Sequence, residues 1–134
     1  MPPAAGDTAS LPRTITLRDV EEFAELVGDH NPVHIDDAFA EKTRFGRRIA
    51  HGMWAVSPIS AVLGTRLPGP GTVYLSESIQ FLARVYPGDT VTAQVIVLQV
   101  REDKPTVTLR TLGGNQDGEA VLEGEAVVFV EHVD

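Results

Sequence analysis

The sequence predicts an α+β domain in which a buried helix packs on one curved antiparallel sheet. Three observations predict it. Apolar residues at helical spacing are confined to the first half of the chain. One helical segment there, His51 to Arg66, has almost no polar face. After Gly71 the apolar period changes to two, with turn residues between the runs.

A chain of 134 residues suits one domain with one modest core. Met1 to Pro12 is rich in Ala and Pro and reads as a flexible tail, leaving a single domain over residues 13–134. The opening has no basic start followed by an apolar run, so it does not read as a signal peptide. Arg13 to Thr16 reads as a short extended piece. Val20, Phe23, Ala24 and Val27 then recur at helical spacing. Thr16 followed by Asp19 resembles a capping box, and Gly28 stands where a C-cap glycine belongs. These signals predict a helix over about Leu17 to Val27.

Asp29-His30-Asn31-Pro32-Val33-His34 reads as a structured loop, because Pro32 bars a regular helix through its centre. Asp36 to Thr43 reads as a short second helix, and Arg44 to Arg48 as a basic connection containing glycine. His51 to Arg66 is the third helix. Being apolar nearly all round, it is expected to be buried, with a kink at Pro58. Leu67-Pro68-Gly69-Pro70-Gly71 breaks it.

Val73 to Arg84 then reads as a strand. Val91, Ala93, Val95 and Val97 alternate with more polar neighbours in Thr90 to Val100. Val107, Leu109 and Thr111 continue that pattern. Leu122, Gly124, Ala126, Val128 and Val130 mark a last strand from Ala120. Short turns at Pro87-Gly88-Asp89 and Gly113-Gly114-Asn115 predict antiparallel pairing.

Composition narrows the function. A net charge of −8 argues against sequence-independent nucleic-acid binding, which needs a basic footprint. Any phosphate-bearing ligand must find a local basic patch. The absence of cysteine removes disulfides, thiolate metal sites and thiol nucleophiles, and fits a reducing compartment. No stretch is apolar for long enough to span a membrane. A cytoplasmic protein is expected.

Two stretches could carry chemistry. Asp29 to His34 sets a carboxylate, an amide and two imidazoles on a proline-stiffened loop, as an active site would; the same residues also suit Asx turns, caps and exposed histidines. His51-Gly52-Met53 opens the apolar helix. There the side-chain-free Gly52 could offer its N–H to a carbonyl oxygen, or simply start a helix. A zinc pair from His30 and His34 is not expected, because the glutamate of His-Glu-x-x-His is missing and Pro32 interrupts the spacing. No Gly-x-Ser-x-Gly elbow is present, and Gly69-Pro70-Gly71 lacks the Gly-Lys-Ser/Thr ending of a phosphate loop. Asp36 and Asp37 read as helix N-terminal charges.

Taken together, Asp29-x-Asn31-Pro32-x-His34 and His51-Gly52-Met53, with Phe39 and Ala40 between them, resemble the MaoC-like (R)-specific enoyl-CoA hydratases, also called hydratase 2. The resemblance runs from about Thr14 to Val130 and includes Arg101 to Pro105 and Gly124-Glu125-Ala126. It implies a hot-dog fold, a sheet wrapped around a long central helix, working as a homodimer. It implies a lyase that interconverts trans-2-enoyl and (R)-3-hydroxyacyl thioesters by adding or removing water.

By the same resemblance Asp29 and His34 hold the water and move its proton, and the N–H of Gly52 receives the thioester oxygen. Asn31 orients the loop or the water, Ser60 is a supporting residue on the pocket side, and His30 is non-catalytic. Neither a cofactor nor a metal is implied, because the thioester is its own electron sink. Trp54 and Leu63 are expected to line the acyl tunnel. Arg44, Arg47, Arg48, Arg84 and Lys104 are candidates for the phosphates of CoA or of an acyl carrier protein. One alternative is a hot-dog thioesterase, which the lack of any acidic residue between His51 and Arg66 disfavours. Another is a partner-dependent subunit of an acyl-carrier-protein dehydratase.

Overall fold

The computed structural model describes residues 2–132. Met1 of the expected tail, and Val133 and Asp134 of the expected domain, lie outside the described residues. The elements run β1 (Thr8–Thr14), α1 (Leu17–Val27), α2 (Pro32–Ile35), α3 (Asp37–Glu41), α4 (Gly52–Thr65), β2 (Thr72–Phe81), β3 (Thr90–Val100), β4 (Thr106–Gly114) and β5 (Ala120–Val130). The strands form one antiparallel sheet in the order β1-β3-β4-β5-β2.

Local signals set α1. The Thr16 hydroxyl accepts from the Asp19 N–H at 3.1 Å, and the Asp19 carboxylate accepts from the Thr16 N–H at 2.9 Å. Gly28, at φ 80°, closes the helix with its N–H on the Ala24 carbonyl at 2.9 Å.

The N-terminal segment departs from expectation. Residues 8–12, read as tail, belong to β1, which pairs with β3 from Thr8↔Ile96 to Thr14↔Thr90. A strand at a sheet edge needs only one ladder, so little apolar alternation announces it. The carbonyls of Asp7 and Ile15 accept from Val97 and Gly88 on the β3 side. By the two-residue repeat, Ser10 and Pro12 therefore turn their backbone outward. Pro12 thus costs the ladder no hydrogen bond, and the Ser10 carbonyl is taken by Arg66 Nη1 at 2.9 Å.

Pro32 also acts differently from its sequence reading. It opens the single-turn helix α2 from a position where its missing N–H would have had no helical partner. The second expected helix is confined to Asp37–Glu41, capped by Asp36. Pairing differs as well. β3, β4 and β5 form the expected meander, but β2 crosses to the far side of the sheet and pairs with β5.

Helix α4 packs across β1, β2, β3 and β4, and Pro58 falls within it without ending it. Trp54, Ala55, Ile59, Val62 and Leu63 join Val91, Ala93, Val95, Val97, Leu109 and Leu122 in the core. Burying side chains of this kind contributes about 1.5–3 kcal/mol each. The expectation of burial all round holds for one face only. Met53, Ser57, Ser60 and Ala61 are exposed on a single chain, with Met53 63% accessible. Beside this face runs the outer strand β2, where Val73 and Leu75 are also more than half exposed.

Candidate active site

Gly28 turns the chain out of α1, and the next six residues hold one another in place. Asp29 Oδ1 accepts from the Asn31 N–H at 3.1 Å, and Asn31 Oδ1 accepts from the Val33 N–H at 3.2 Å, capping α2. The His34 N–H donates to the Asn31 carbonyl at 3.0 Å. Asn31 thus bonds within the loop through both its side chain and its carbonyl.

His34 is buried, with Nδ1 2.7 Å from the carbonyl oxygen of Ile49. A carbonyl only accepts, so Nδ1 carries the hydrogen and Nε2 keeps a lone pair. Burial pushes the His34 pKa below its ordinary 6.5; the Ile49 bond opposes this, the neighbouring His51 adds to it, and the Asp29 charge opposes it. The ring borders a cavity of about 260 Å³ shared with Asn31, His51, Gly52, Phe81 and Arg84. Asp29 is exposed, and a carboxylate oxygen of Asp29 and a ring nitrogen each of His34 and His51 lie within 4.8 Å of one another. A neutral imidazole and a carboxylate at this range can hold one water and move its proton.

Gly52 is the first residue of α4, and no side chain caps that helix start. Its N–H therefore has no partner within the helix. A Cβ at this position would press on the Phe81 ring, so glycine lets that ring pack against the helix start. His34 and Gly52 line one cavity, which joins the two stretches singled out in the sequence.

Asp29, His34 and His51 have the donor types of a metal site. Their two rings, however, lie nearly parallel, with centroids 3.9 Å apart and planes at 29°. Stacked rings set their nitrogens side by side instead of converging on one tetrahedral ion.

Other expected site residues fall elsewhere. Trp54 and Leu63 pack in the core and do not line this cavity. Ser60 is exposed on the outer face of α4, away from it. Arg48 is not a phosphate ligand: its side chain is nearly buried between Glu21, 3.3 Å away, and Asp37. Its Nε lies 2.8 Å from Asp37 Oδ1, at ion-pair distance but without hydrogen-bond geometry. Arg47 lies over the Tyr86 ring at 4.2 Å and reaches the Pro87 carbonyl. Lys104 sits in the β3–β4 turn, at the far end of β4 from Gly114 and the adjoining Val121 of the cavity wall, about 27 Å along the strand. Arg44 is exposed beside Phe45, a cavity residue, and Arg84 lines the cavity itself. His30 points to Glu25 at 2.7 Å.

Sequence reasoning missed two contributors. Phe81 was read only as part of a strand, and His51 only as the residue before a glycine. An imidazole at an uncapped helix start was the one available signal for His51.

An antiparallel sheet laid across a central helix, with an imidazole and an open helix start on one cavity and a carboxylate beside the imidazole, defines a hot-dog domain equipped for proton transfer. The chain belongs to the MaoC like domain family, whose model matches residues 3–116. It is 50% identical to an (R)-specific enoyl-CoA hydratase of Rhodospirillum rubrum, over 93% of this chain and 86% of that protein. It is 46% identical to a 3-hydroxybutyryl-CoA dehydratase of Methylorubrum extorquens, over 93% of this chain and 79% of that protein. Among solved structures, the (R)-hydratase from A. caviae involved in PHA biosynthesis superimposes with a TM-score of 0.92 at 44% identity, covering 96% of this chain and 97% of the other.

Proposed function

We propose that this chain is a carbon–oxygen lyase that interconverts trans-2-enoyl and (R)-3-hydroxyacyl thioesters of CoA by adding or removing water. The observation that carries this reading is an Asp29 carboxylate oxygen within 4.8 Å of a ring nitrogen of His34, whose imidazole lines one cavity together with Gly52. In hydration, the two O–H bonds of a water point at Asp29 and His34, and its lone pair points at C3. As the oxygen adds to C3, the proton that leaves the water is returned to C2. The thioester oxygen gains enolate charge and meets the Gly52 N–H at the start of α4, where the helix dipole adds to the attraction. Asn31 holds the loop.

CoA as the carrier is supported by relatives named for CoA thioesters at 46% and 50% identity, and by Arg84 in the cavity wall with Arg44 nearby. No helix among the described residues is long and apolar enough to cross a membrane. A cytoplasmic location goes with this reading and is supported by the cysteine-free sequence.

A homodimer is part of the same reading. The exposed apolar residues Met53 and Leu75 line one depression between α4 and the outer strand β2, whereas the opposite edge is occupied by Pro12 and Arg66.

The test is hydration of crotonyl-CoA, followed by loss of the conjugated double bond and by the chirality of the product. The purified chain should form the (R) product. Asp29→Asn and His34→Ala should each lower turnover at least about 100-fold with circular dichroism unchanged. Near-normal turnover in either variant, or release of free CoA in place of hydration, overturns the reading.

A further inference from the structure

We propose that His51 is a positioning residue for the reaction, its ring locking the Asp29 backbone and the His34 imidazole into one frame with Gly52. This role rests on the reading in which Asp29 and His34 act on water.

The geometry is specific. His51 Nε2 lies 3.0 Å from the carbonyl oxygen of Asp29, a link across 22 residues between the loop and the start of α4. Because that partner only accepts, Nε2 carries the hydrogen. One face of the ring stacks on His34 at 3.9 Å. Phe23 of α1 approaches the ring at 5.0 Å and a 54° tilt. The residue is only 2% accessible, so solvent does not compete for these contacts.

Its Nδ1 is buried without a hydrogen-bond partner, which disfavours a polar ring at this place. An apolar ring would fill the space between Phe23 and His34 without that cost. The imidazole supplies what an apolar ring lacks, the Nε2–H that holds Asp29. The arrangement matters because Asp29 stands on an exposed loop, whereas a proton-transfer group must be held within about 0.5 Å of its working position. His51 and Gly52 are neighbours in the chain. The dipeptide therefore ties the Asp29 backbone, the His34 imidazole and the N–H for the thioester oxygen to one helix start.

Three substitutions separate the donor from the bulk. In His51→Gln, the side-chain nitrogen is as many bonds from Cα as Nε2. In His51→Asn it matches the unpartnered Nδ1 instead, and His51→Phe keeps the ring alone. Expected results with crotonyl-CoA are a kcat loss of about 100-fold for His51→Phe and His51→Asn, at a KM within about threefold, and recovery to within about tenfold of the parent in His51→Gln.

A folded His51→Phe enzyme with near-parent kcat, or equal losses in the Gln and Asn variants, overturns the proposal. In case the variants do not fold, imidazole nitrogen NMR of the unmodified protein gives a second measurement. A slowly exchanging Nε2–H on His51 supports the role, and an Nδ1–H tautomer overturns it. If Asp29→Asn and His34→Ala abolish turnover while His51→Phe does not, the positioning role alone fails. If those two variants stay active, the hydratase reading itself fails.

Discussion

Phe81 stands over Gly52 so closely that a Cβ on residue 52 would lie 3.1 Å from its Cε1 and 3.3 Å from its Cζ. Gly52→Ala keeps the backbone N–H but forces the ring or the helix start to shift by a few tenths of an ångström. Its kcat/KM for crotonyl-CoA is expected to fall by about 10- to 100-fold, less than the full loss of such a donor. Adding Phe81→Leu should recover part of the loss. Steady-state kinetics of the two single variants and the double variant check this.

The depressed pKa of His34 predicts two effects of acid. Hydration needs the neutral ring, so kcat/KM should fall on the acid side with a midpoint below 6.5. Stability follows the same direction. Between the folded pKa and 6.5 the unfolded chain binds more protons at this residue than the folded chain does. The His34 contribution is therefore complete above pH 6.5 and is lost as pH falls through that window. Asp29 and His51 are the titratable groups that act on the ring, in opposite directions. Urea unfolding at pH 7 and pH 5 should show a larger loss for the parent than for His34→Gln.

Arg48 and Arg84 should separate stability from substrate binding. Arg48 joins Glu21 of α1 to Asp37 of α3 and donates to the Ile35 carbonyl at 3.4 Å. Both carboxylates are largely exposed, so Arg48→Ala leaves neither buried and should cost about 1–2 kcal/mol in denaturant unfolding. Its KM for a CoA thioester should not change. Arg84→Ala should do the reverse, raising KM about tenfold at unchanged stability.

The apolar face of α4 and β2 should govern assembly. Met53→Lys or Leu75→Lys puts a charge where the dimer reading buries apolar area, and light scattering should show single chains. Arg13→Glu, an exposed change on the other edge of the sheet, should leave the parent mass unchanged.

What the sequence made legible was local or periodic. The Thr16–Asp19 box and Gly28 bound α1 at both ends because caps act within a few residues. Val91 to Val97 announced β3 because one face of that strand is buried along that stretch. Pro32 misled because proline opens a helix as readily as it interrupts one, and only the backbone on either side decides which. β1 was hidden because an outer strand needs few apolar side chains. In the site, Asp29, Asn31, His34 and Gly52 were legible as short stretches of unusual chemistry. The sequestration of Arg48 by Glu21 and Asp37, and the stacking of His51 on His34, depend on residues brought together only by the fold.

The unequal sides of the sheet bear on polymerisation. One side offers a row of free backbone groups flanked by greasy side chains. The other has a proline where a donor would stand and a guanidinium on the neighbouring acceptor. Joining two copies through the first side leaves only the second kind showing at both ends. In the dimer reading, growth would then terminate after a single union and no fibre would lengthen from either end.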